Sequence, residues 1–72
     1  MFASRFKLIG ARVAFYRKLK GYTQLDLGQM VNLSEDYISK IETGKALGVS
    51  LQACMKLAEA LEVTLEDLTK EK

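Results

Sequence analysis

The strongest constraint on this chain is a pair of short helices written back to back between Thr23 and Glu42. Thr23 is a good N-cap with Asp26 three residues on, a shortened capping box, and it opens a segment in which Leu27, Met30 and Val31 fall at helical spacing. Asn32 can stop that helix in the left-handed conformation. Ser34 then caps the next one, whose first turn holds Glu35 and Asp36 where the helix dipole favours negative charge. Each helix is about eight residues long, and three or four residues around Asn32 to Ser34 join them. Helices tied so tightly cannot lie antiparallel and must cross steeply. Val31, Leu33, Ile38 and Ile41 then fill the space between them, and Gly28 stands where a missing side chain lets backbones close up.

The remainder reads as helix too. There is no Pro, and apolar positions recur every three or four residues rather than alternating. A first helix from about Lys7 to Lys20 carries Ile9, Val13, Tyr16 and Lys20 along one stripe, Gly21 stops it, and Tyr22 returns to the core. Thr43, Gly44 and Lys45 form the exit of the third helix, and a loop over 46–49 leads to Ser50, the cap of an amphipathic fourth helix. Leu51, Cys54, Leu57, Ala58 and Leu61 share its apolar face. Thr64 caps a last short turn, with Asp67 at the reciprocal position. The expected class is all-α, five helices around one core. A length of 72 residues supports a single domain, 1–72, with its folded core at about 7–68.

Composition narrows the function. Hydrophobic residues make up 49% and charged residues 28%, the range of ordinary globular chains, and no apolar run approaches the roughly 20 residues of a membrane span. Charges at Arg5, Lys7 and Arg12 break what would be the apolar core of a signal peptide, so the expected location is the cytoplasm. Cys54 is the one cysteine and there is no His, which leaves neither a disulfide, nor a metal site, nor a Cys/His catalytic pair; Cys54 reads as a small core residue. No cofactor, small-molecule ligand or enzymatic activity is expected. The net charge of +2 is unevenly spread. Residues 1–20 hold six bases and no acid, whereas 21–50 and 51–72 each carry −2. A segregated basic end is one footprint of a polyanion partner and also a common solvated surface.

From Arg12 to Leu68 the sequence resembles the Cro and phage-repressor (Xre-type) helix-turn-helix family. The stretches that carry the resemblance are RVAFYRKLKGYTQ, LGQMVNLSEDYISKIETGK and SLQACMKLAEALEVTLEDL, in the family's order and spacing. The resemblance implies a lambda-repressor-like fold and sequence-specific binding of double-stranded DNA by a transcription regulator, a repressor or autoregulator acting as a homodimer on a pseudo-palindromic operator. Gln24, beside Thr23, matches a glutamine that contacts phosphate and buttresses the recognition helix at about 34–42. Ser34, Glu35, Asp36, Ser39 and Lys40 match the face that reads base edges, where lysine suits guanine and a carboxylate suits cytosine N4. Two adjacent acids depart from the family's more usual Gln, Arg or Asn, and at least one of them is expected to serve the helix dipole alone.

The resemblance further implies phosphate contacts from backbone N–H groups and a lysine in the loop at Thr43, Gly44 and Lys45. Because Ala46 to Val49 lack the bases that often follow, Arg12 and Lys18 on the first helix are expected to add to affinity. Arg17 and Glu42 match a structural ion pair, and Tyr37 reads as packing. Phe15, Leu19, Leu25 and Met30 are apolar where the pattern more often has charge, and together with Leu65 and Leu68 they are the candidate partner surface. With no second domain expected, regulation would act through dimerisation, concentration or a partner. That suits a phage regulator, a restriction-modification controller or an antitoxin. The competing reading is a protein-interaction module that uses the same fold without DNA.

Overall fold

The structure, a computed structural model, describes residues 2–46 and 48–70; Leu47 and the two ends of the expected domain lie outside the described residues. Among the described residues five helices follow one another: α1 (Phe2–Lys20), α2 (Gln24–Val31), α3 (Glu35–Glu42), α4 (Leu51–Leu61) and α5 (Leu65–Thr69). Among the described residues there is no strand.

The N-caps are those the sequence announces. Thr23, Ser34, Ser50 and Thr64 each accept a hydrogen bond from the backbone N–H three residues on. Thr23 with Asp26 and Thr64 with Asp67 close full capping boxes. The bonds to the Thr23 backbone and side chain hold the Asp26 carboxyl below the ordinary aspartate range, and Thr64 does the same for Asp67. A carboxyl lowered on folding stabilises the native state above its unfolded pKa of about 3.9, and that contribution disappears as pH falls through the lower folded value. Thermal melts between pH 5 and pH 2 are therefore expected to show an acid loss of stability. The Asp26→Asn, Asp67→Asn double variant should show a smaller one, and an unchanged pH profile would disprove the assignment.

α1 to α4 all end in the same way, with a left-handed residue at Gly21, Asn32, Gly44 and Glu62. In each case the next N–H reaches back to the carbonyl five residues earlier: Tyr22 to Arg17, Leu33 to Gly28, Lys45 to Lys40 and Val63 to Ala58. Glu62 holds this conformation without glycine's freedom, and its carboxylate pairs with Lys20 at the end of α1.

The core is Val13, Leu27, Val31, Ile38, Ile41, Leu57, Ala58, Leu61 and Leu68, with Ile9, Tyr16, Tyr22, Leu33 and Tyr37 packed at its edge. Cys54 is buried as expected, and burial pushes its thiol pKa up. Three expectations need correction. α1 begins at Phe2 rather than near Lys7, and no acid in its first turn marks the start. Leu51, assigned to the apolar face of α4, is 65% exposed, while Ala53 takes an inward place. Leu68, assigned to a partner surface, is fully buried in the core, and Leu65 beside it is half-buried. The stripe of α5 that looked free is the one that docks it against α1 and α4.

Candidate nucleic-acid interface

α3 shows two unlike faces. Ile38 and Ile41 point inward and are fully buried; Tyr37 is half-buried, its hydroxyl 3.4 Å from the Gly48 carbonyl. Ser34, Glu35, Asp36, Lys40 and Thr43 are exposed on the other side, with Ser39 half-exposed among them. Ser34 Oγ accepts from the Tyr37 N–H at 3.0 Å, which fixes the helix start. Asp36 and Lys40 lie one turn apart and pair at 3.3 Å, so the cation and one of the two acids on this face already face each other.

The far end of α3 is fixed by a three-residue network. Arg17 Nε donates to Glu42 Oε2 at 2.6 Å and Nη2 to Oε1 at 3.0 Å, while Nη1 donates to the Tyr22 carbonyl at 2.9 Å. Gln24 Nε2 donates to the same Glu42 Oε1 at 3.0 Å. A carboxylate only accepts, so Glu42 dictates that the Gln24 amide turns its nitrogen inward; one N–H and the oxygen remain for other partners. The Arg17 and Glu42 side chains are 11% and 5% exposed, which makes this a nearly dry, bidentate pair joining α1, the start of α2 and the end of α3.

Two glycines bring backbones together here. A Cβ at Gly28 would stand 2.5 Å from the Leu33 carbonyl oxygen, so what closes on α2 is the turn between the helices rather than the body of α3. A Cβ at Gly10 would stand 1.9 Å from the Ile41 carbonyl oxygen, which seats α1 directly on the last turn of α3.

Other assignments shift. Arg12 Nη1 donates to the Asp67 carbonyl at 2.9 Å, so this guanidinium ties α1 to α5. The N–H groups of Thr43, Gly44, Lys45 and Ala46 are not available to a phosphate: they donate to the carbonyls of Ser39, Ile41 and Lys40 in closing the helix. The Thr43 hydroxyl donates to the Ser39 carbonyl at 2.9 Å. Charged side chains, with Lys45 exposed, are what this exit can offer an anion. Phe15, Leu19, Leu25 and Met30 are 59%, 72%, 49% and 50% exposed, and Leu51 and Met55 on α4 join them. Among the described residues no three His, Cys, Asp or Glu side chains converge on a metal-sized site.

This arrangement, two capped eight-residue helices about a tight turn with the second turned outward, is what the helix-turn-helix family model describes, and it matches residues 13–68. The chain belongs to the helix-turn-helix family. Its Xre-type resemblance is supported by individual relatives. The helix-turn-helix transcriptional regulator SinR of Bacillus subtilis is 34% identical over 65 residues, 90% of this chain and 59% of SinR. The chain thus spans about six tenths of that relative's length. Among solved structures, the restriction-modification controller protein C.AhdI from Aeromonas hydrophila superposes with a TM-score of 0.84 at 31% identity, covering 90% of this chain and 97% of that one. The P22 c2 repressor, solved in complex with a synthetic operator, superposes with a TM-score of 0.81 at 29% identity over 90% and 97% of the two chains.

Several features of this helix-turn-helix protein escape a reading of the sequence. Gly10 looks like a weak point inside a helix, and only the approach of Ile41 reveals it as a contact. The N-terminal turns of α1, before the family match begins, carry Lys7 to the exit of α3, and nothing in local periodicity signals that.

Proposed function

We propose that this helix-turn-helix protein is a DNA-binding module of a transcription regulator that lays α3 in the major groove. The observation that carries this reading is the outward face of α3, held at its start by the Ser34 cap and at its end by the Arg17–Glu42–Gln24 network, in a fold shared with a repressor solved on its operator. A groove-reading helix needs such fixation, because base contacts are short-ranged and any play in the helix weakens them. Ser34, Ser39, Lys40 and one of the acids Glu35 and Asp36 are the base-facing residues in this reading, with Thr23, Gln24 and Lys45 at phosphates. Lys40 reaches a guanine by exchanging its Asp36 partner for the base edge, which leaves the carboxylate free to accept from a neighbouring cytosine N4. The module acts in the cytoplasm as a two-fold dimer on half-sites about 34 Å apart. The exposed apolar residues Phe15, Leu19, Leu25, Met30, Leu51 and Met55 are the surface from which a dimer contact is drawn.

The test is fluorescence anisotropy with mixed-sequence duplex DNA across a salt series. Four phosphate contacts correspond to a loss of affinity on the order of 100-fold between 50 and 200 mM salt. Affinity that is absent at low salt, or that ignores salt, would refute the proposal.

A further inference from the structure

We propose that Lys7 is a phosphate-contacting residue that acts beside Lys45 at the exit of α3. The inference rests on the DNA-binding reading above and adds a contact outside the family match, which begins at residue 13. α1 starts at Phe2 and is seated on the last turn of α3 where Gly10 meets the Ile41 carbonyl. Three residues earlier, on the same side of the helix, comes Lys7. A Cβ at Gly44 would stand 2.5 Å from Lys7 Cγ, 3.4 Å from its Cα and 3.5 Å from its Cβ, so the stem of this lysine lies directly on the exit turn. Gly44 has φ +77°, a conformation that keeps the turn tight and leaves the space the lysine stem occupies.

Lys7 is exposed, and so is Lys45, the residue after the glycine it rests on. The exit therefore carries two lysines, one from the loop and one from α1. They stand where the backbone offers no free donor, because the N–H groups from Thr43 to Ala46 are engaged within the helix end. Lys40, the cation on α3 itself, is paired with Asp36. A lysine whose first methylenes already rest on backbone gives up less rotamer freedom when its ammonium meets an anion than one waving free. The ligand that fits is the phosphate backbone of duplex DNA flanking the groove in which α3 sits, a contact that adds affinity without reading sequence.

The test compares the whole protein with Lys7→Ala, Lys7→Arg and Lys56→Ala in the same mixed-sequence duplex, with affinity read from 50 to 200 mM salt. Lys56 is an exposed lysine on α4, a helix that packs on α1, α2 and α5, and it controls for loss of one charge anywhere. Lys7→Ala is expected to bind less tightly and to lower the salt slope by about one, so that the affinity ratio between the two salts shrinks about 3-fold to 4-fold. Lys7→Arg keeps the wild-type slope, as does Lys56→Ala. Circular dichroism showing the same helicity in all four proteins removes misfolding as a cause. A Lys7→Ala slope equal to wild type, with wild-type binding itself salt-dependent, overturns the role of Lys7 and leaves DNA binding intact. Wild-type protein that does not bind overturns both.

Discussion

Gly10→Ala should destabilise the domain by about 2 kcal/mol, the reverse of what this substitution does in an open helix. Alanine is the better helix former by roughly 1 kcal/mol, so on α1 alone the change would help. The added Cβ, however, would lie 1.9 Å from the Ile41 carbonyl oxygen, 2.9 Å from its carbon and 3.2 Å from the Glu42 carbonyl carbon. All three are backbone atoms of a neighbouring helix, and no side chain can swing aside. α1 must lift from α3, and overpacking of that kind costs about 1–3 kcal/mol or more. A domain of this size has only about 4–11 kcal/mol to lose. Urea unfolding followed at 222 nm would show the drop in midpoint, and a neutral or stabilised variant would mean that α1 and α3 are not in backbone contact.

Glu42→Ala is expected to cost about 3 kcal/mol, near the lower end for breaking a buried ion pair, because Arg17 keeps 11% exposure and its bond to the Tyr22 carbonyl. The loss comes chiefly from stranding the Arg17 guanidinium, so the Arg17→Met, Glu42→Leu double variant should recover much of it. Gln24→Ala, which leaves the Arg17–Glu42 pair in place, should cost far less. Chemical denaturation of the four proteins separates these cases. A Glu42→Ala loss below about 1 kcal/mol would show that the pair is solvated rather than buried.

The parts of the fold that were legible in the sequence are those written in local chemistry. Thr23, Ser34, Ser50 and Thr64 are recognisable caps because a short side-chain oxygen before an apolar-periodic run has few other uses, and Gly21 and Asn32 are recognisable stops because they tolerate positive φ. The start of α1 carries no such mark. Glu62 ends α4 in a left-handed conformation for which glutamate has no preference, and its pairing with Lys20 across the fold is invisible to a local reading. Periodicity announced that α4 has an apolar face but not that Leu51 falls outside its packed width. It could not tell that Leu68 faces inward, because a five-residue helix offers too few turns to separate core from surface.

Within the site, the resemblance to the Xre-type family pointed to Arg17 and Glu42 and to Gln24 beside α3, and the structure joins these three through one carboxylate. The exit-loop N–H groups, which the resemblance offers to phosphate, are used by the helix end for itself, and Arg12 spends one of its N–H donors on a carbonyl of α5. Neither bond is written in local sequence. Whether a donor is free depends on what the fold brings to it, and that is a tertiary fact.

Whether α3 reads DNA is decided by selecting bound sequences from a pool of random duplexes at two salt concentrations, with wild-type protein beside the Ser39→Ala, Lys40→Ala variant. Enrichment of a palindrome with half-sites about one helical turn apart, lost with the variant while weak salt-dependent binding persists, is the expected result. No enrichment by the wild-type protein at low salt would contradict it and would turn attention to Phe15, Leu19, Leu25 and Met30 as the docking surface for a protein partner.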